Sequence, residues 1–194
     1  MRSLKVLFYS VVPLCLFLCW GACEGDAFDD GFSYDKKFEG KYTTAYCAPG
    51  MDLTRLAPQL NLRPSDEVLT GRSLSASDAP GGEVAPMLDT LFLQVSDILD
   101  MRLRDFKIDI KICAGKEALA RLYKLFFGTE IEGRLAFYVH ELKTIYIAVD
   151  DFHADILGRE MSRAIIAHYF GIPAPAKVQE VLSLYAEYTL KRQS

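Results

Sequence analysis

Between Leu88 and Cys113 the apolar residues change their period, and this switch limits the folds open to the chain more than any other feature. Leu88, Leu91, Val95, Ile98 and Leu99 recur at three- and four-residue intervals, which predicts a helix of about five turns with one face in the core. Phe106, Ile108, Ile110 and Ile112 then alternate with Lys107, Asp109 and Lys111, the pattern of a half-buried strand ending at Cys113. A one-faced helix beside a one-faced strand calls for helices packed on a sheet.

The rest of the chain extends that reading. Lys41 to Cys47 alternates as a strand and is stopped by Ala48-Pro49-Gly50, after which Asp52 caps a short helix reaching Leu60. Residues 62–82 are rich in Ser, Pro, Gly and Asp and are expected to be an exposed excursion, with at most a turn of helix at Ser65 to Leu69. A helix is predicted from Lys116 to Phe127, stopped by Gly128, and Arg134 to His140 with Thr144 to Val149 reads as a hairpin. Two helices close the chain, about Ala154 to Phe170 and Pro175 to Lys191. The expected class is α+β, with a sheet of about four strands covered by helices over residues 36–192.

The chain opens with Arg2 and Lys5, an uncharged apolar run from Val6 to Trp20 interrupted by Pro13, and then Gly21 and Ala22 before Glu24 and Asp26. That order is expected of a secretory signal peptide over residues 1–27, and the run is short for a membrane span. Trp20-Gly21-Ala22-Cys23 has the form of a lipobox, so cleavage is expected either before Cys23, with a lipid on Cys23, or at Gly25-Asp26-Ala27. The product is expected outside a bacterial-type inner membrane, periplasmic or lipid-anchored to the envelope, touching membrane only through the signal or the lipid.

With Cys15, Cys19 and Cys23 in that segment, only Cys47 and Cys113 belong to the folded part. Both follow strand residues, so they either pair as a disulfide or are two separate buried thiols. A net charge of −4 over 194 residues carries no long run of one sign, which gives no support to nucleic-acid binding. No glycine-rich phosphate loop follows a strand. His140, His153 and His168 are not spaced as a helical ligand pair, and His168 is expected to make a core hydrogen bond.

One segment carries chemistry. Gly158-Arg159-Glu160-Met161-Ser162-Arg163-Ala164-Ile165-Ile166-Ala167-His168-Tyr169-Phe170 resembles the active-site helix of zincin metallopeptidases. It is similar to small exported bacterial members whose helix reads His-Glu-Met-Ala-His and then, past an apolar stretch, His-Tyr-Phe. Arg159 and Arg163 stand at the two histidine positions, and Glu160 keeps that of the general base. Downstream, Glu180 in Pro175-Ala176-Lys177-Val178-Gln179-Glu180 matches the third ligand of the glutamate-type zincins.

The resemblance implies a zincin-like fold whose two C-terminal helices carry a former zinc site. Guanidinium stays protonated and has donors only, so Arg159 and Arg163 cannot ligate zinc, and no cofactor is expected. They can pair with Glu160 and Glu180 in a salt-bridged cluster. Without the resemblance, Glu160 and Arg163 read first as a plain i, i+3 pair on a solvated helix face.

The expected function is therefore a catalytically inactive zincin-like module of the envelope that binds a peptide or protein, with the arginines favouring an acidic group. Two rivals stand beside it: an active metallopeptidase or hydrolase with a non-standard site, its zinc held by an unrecognised set or no metal used at all, and a purely structural envelope protein with a filled cleft.

Overall fold

The computed structural model describes residues 29–70, 81–103, 105–170 and 174–193. The export segment, Cys23 and residues 71–80 of the expected excursion lie outside the described residues. Five strands form one mixed open sheet: β1 (Lys36–Glu39), β2 (Thr43–Cys47), β3 (Ile108–Cys113), β4 (Ala136–Val139) and β5 (Thr144–Ala148). Their spatial order is β1-β2-β3-β5-β4, with β2, β3 and β5 parallel and the two edge strands antiparallel to their neighbours. Among the described residues six α-helices accompany them: α1 (Leu56–Leu60), α2 (Asp66–Thr70), α3 (Val84–Leu99), α4 (Lys116–Phe127), α5 (Ala154–Tyr169) and α6 (Ala176–Gln193).

Strand alternation gives the sheet two apolar faces. Ala45, Ile108, Ile110, Ile112, Ala136, Ile145 and Ile147 turn to one side and meet Leu88, Leu91, Val95, Leu157, Met161 and Ile165 of α3 and α5 in the larger core. Phe137, Val139, Tyr146 and Ala148 turn to the other, where α4 supplies Leu119 and Leu122. The α+β class is as expected, but the sheet has one strand more. β1 gave no apolar alternation because Lys36, Lys37 and Glu39 are all exposed on the sheet edge.

What fixes β1 is its turn into β2. The Asp89 carboxylate on α3 accepts hydrogen bonds from the backbone N–H groups of Lys41 (2.6 Å), Tyr42 (2.9 Å) and Thr43 (2.9 Å), and from the Thr43 hydroxyl (2.8 Å). A buried carboxylate with four donors is satisfied without a cation. The first part of the expected excursion also docks: Ser65 N–H donates to Thr90 Oγ1 (2.9 Å) and Val68 of α2 is buried.

The disulfide is corrected. β2 and β3 do run parallel as neighbours, but Cys47 lies opposite Ile112, one residue out of step with Cys113. One residue of offset sends the two side chains to opposite faces. Cys47 joins the core under α3 and Cys113 the one under α4, both as free thiols whose pKa burial pushes up to about 12.

Candidate functional site

α5 and α6 pack so closely that a side chain at Gly158 would meet Leu190: an added Cβ would stand 2.1 Å from Leu190 Cδ1. The turn after Gly158 is thereby pressed against α6, and the arginines one turn apart on α5 reach across it. Arg159 Nη2 donates to Glu180 Oε1 at 2.7 Å, and Arg163 Nη2 donates to Glu180 Oε2. Each oxygen of Glu180 thus takes one guanidinium. Arg159 Nη1 also stands 3.5 Å from Glu187 Oε2, two turns further along α6.

The expected cluster of Arg159, Glu160, Arg163 and Glu180 is assembled, and its face is not a solvated one. Glu160 is 6% exposed and Arg163 is half-buried. Arg163 Nε lies 3.5 Å from Glu160 Oε1, yet this nitrogen has no hydrogen-bond partner, so the pair is misaligned. Met161 and Ser162 face inward, with Ser162 Oγ donating to the Arg159 carbonyl oxygen at 2.6 Å.

The two glutamates differ electrostatically. At Glu180 burial works against ionisation, but the hydrogen bonds and charges of Arg163 and Arg159 outweigh it and hold the carboxyl below its usual range. At Glu160 burial dominates: it pushes the pKa up to about 7 against the pull of Arg163, Arg159 and Arg134.

A cleft of about 440 Å³ opens beside the cluster. One wall is Glu132 to Ala136, the segment leading into and opening β4, and the other is Ile156, Arg159, Glu160 and Arg163 of α5 with Glu180 and Glu187 of α6. Glu187 and Arg134 were not singled out from the sequence. Glu187 could have been, since it follows Glu180 by seven residues and so shares its helix face; Arg134 carries no such signal. Among the described residues the lining includes no Ser, Thr, Cys, His or Lys side chain.

Two of the three histidines come together. His168 Nε2 and the Tyr138 hydroxyl are hydrogen-bonded at 3.0 Å, a half-buried contact where a core one was expected, and the His168 ring stacks on His140 with centroids 4.8 Å apart. His153 Nδ1 contacts the Gln59 carbonyl oxygen at 3.3 Å. Among the described residues no group of three or more His, Cys, Asp or Glu could hold a metal ion, and no helix is long and apolar enough to cross a membrane.

No protein-family model, curated protein or solved structure matches the chain.

Proposed function

We propose that this chain is a zincin-like protein of the bacterial envelope, exported and either periplasmic or lipid-anchored, whose cleft binds an extended peptide without cutting it. The observation that carries the reading is the Glu180 carboxylate gripped between Arg159 and Arg163. By the resemblance, those three side chains stand where a zincin holds its metal. Two guanidinium groups offer donors and no lone pair, so they replace the metal's charge and exclude its coordination.

Glu160, at the general-base position, then has no metal-bound water to deprotonate. The resemblance supplies the roles, and the pairing supplies the reason that the helices hold together without zinc. A purely structural role is the weaker reading because the space beside Glu160 is open. Among the described residues β4 pairs only with β5, which leaves its outer edge for a ligand strand along the cleft wall.

The test is a titration of the purified mature protein with extended eight-residue peptides, followed by amide resonances of Glu132 to Val139, together with metal analysis after purification without chelators. Peptide-dependent shifts along β4 and no stoichiometric zinc are expected. Near-stoichiometric zinc, or casein cleavage lost in Glu160→Gln, would return the enzyme reading, and silence along β4 would leave a structural protein.

A further inference from the structure

From the sequence, two arginines at the cleft floor are expected to favour an acidic ligand, and the cleft has the opposite balance. Its lining sets Glu132, Glu160, Glu180 and Glu187 against Arg134, Arg159 and Arg163. Arg159 and Arg163 are occupied by Glu180, with Glu187 beside Arg159. Glu132 and Arg134, exposed at the mouth, are of opposite sign and solvated. An anionic ligand would have to displace Glu180 to reach a guanidinium on the floor.

Besides Glu187 Oε2, which is buried without a hydrogen-bond partner 3.5 Å from Arg159 Nη1, what remains is Glu160. Its carboxyl lines the cleft, is more than nine-tenths buried and receives no hydrogen bond, while its neighbour Arg163 Nε at 3.5 Å is misaligned. A buried acceptor in this state is the costly kind, and a donor from a ligand would relieve it. We propose that the cleft takes a primary ammonium group and that Glu160 is its acceptor. The inference names the ligand class of the site described above and rests on the reading of that site as a peptide-binding cleft.

Ammonium fits better than the other cations. A guanidinium fork needs both carboxylate oxygens in its plane, and Glu160 Oε1 already faces Arg163. A divalent metal needs several oxygen ligands at once, and the carboxylates of Glu180 and Glu187 already face guanidinium groups, Glu180 those of Arg159 and Arg163 and Glu187 that of Arg159. The compact ammonium needs a single oxygen and carries one charge, the excess of carboxylate over guanidinium in the lining. It could come from the N-terminus of a peptide or from a lysine side chain.

The experiment uses the mature protein and uncharged eight-residue peptides of valine, threonine and alanine that carry one primary amine, at the N-terminus or on an internal lysine. Each is paired with its acetylated form, and propylammonium serves as a peptide-free probe. Acetylation is expected to weaken binding about tenfold or more, the scale of a charge-assisted hydrogen bond. Whichever amine position shows the loss identifies the source. Propylammonium is expected to shift the Glu160 carboxyl resonance, and Glu160→Gln to abolish the difference within each peptide pair. Equal binding of free and acetylated peptides along β4 would overturn the ammonium site alone. Propylammonium binding with no response to any peptide would keep it and remove the peptide reading; no response to any probe would remove both. The peptide pairs test the wild-type protein, so the result does not depend on the variant folding.

Discussion

At the scale of single residues, the site divides into what spacing reveals and what only the fold decides. Arg159, Arg163 and Glu180 were legible because the resemblance fixed their positions, and they meet across two helices. The burial of Glu160 was not, since a Glu between two arginines on a helix looks the same whether that face meets solvent or another helix. Burial has a consequence for stability. The folded state holds the Glu160 proton more tightly than the unfolded chain does, with a pKa near 7 against an ordinary 4.5. Below 4.5 the carboxyl is neutral in both states and carries no penalty. Between pH 4.5 and 7 the unfolded chain ionises while the folded state keeps its proton, so stability worth about 3 kcal/mol is lost across that window and stays lost above 7. Glu160→Gln is therefore expected to raise unfolding free energy at pH 8 by a large part of that amount, with little change near pH 4.5. Urea unfolding at the two pH values measures it. A variant less stable than wild type at pH 8 would show Glu160 to be held as a stabilised anion.

At the scale of elements, the helices with one apolar face were readable almost to their ends: α4 was expected and found at Lys116 to Phe127. Strand β1 was invisible because an exposed edge strand needs no apolar alternation, and its position depends on Asp89, far off in sequence, binding its turn. The cysteines illustrate the same limit. Two strand-end residues can be neighbours in a parallel pair and still face opposite ways when the register differs by one. The crossing of α5 and α6, which builds the site, turns on Gly158. An alanine there gains up to about 1 kcal/mol of helix propensity. It also drives a methyl group into Leu190, which is 3% exposed and has little room to turn. Overpacking of this kind costs about 1 to 3 kcal/mol. Gly158→Ala is thus expected to lower stability by about 1 kcal/mol, and combining it with Leu190→Ala should cost less than the separate losses added together. Denaturant unfolding of the three variants forms the cycle. A stabilised Gly158→Ala would mean that α5 and α6 do not approach this closely in solution.

For the whole molecule, local patterns predicted helices on a small sheet and the β4 to β5 hairpin, but not the order β1-β2-β3-β5-β4. That order sets β5 between β3 and β4, so β4 becomes the outer strand facing α5, and sequence spacing has no means of showing it. The cleft exists because of this placement: edge strand on one side, the α5 and α6 pair on the other. Whether the arrangement descends from a zinc site can be tested by giving the metal back its ligands. Arg159→His with Arg163→His places two neutral imidazoles at i, i+4 on the α5 face that meets Glu180. Without zinc the double variant should be less stable than wild type, because Glu180 loses both cations. With zinc it should recover, by about 2.7 kcal/mol at a free concentration one hundred times Kd, and bind one ion per chain. Neither single variant should do so, since the remaining guanidinium repels the ion and leaves it two protein ligands. Thermal unfolding with and without zinc, beside direct metal analysis, gives both numbers. A folded double variant that takes up no zinc would show that the spacing of α5 and α6 is not that of a zincin. The resemblance would then be one of sequence pattern, and the ammonium site at Glu160 would stand or fall by its own titration.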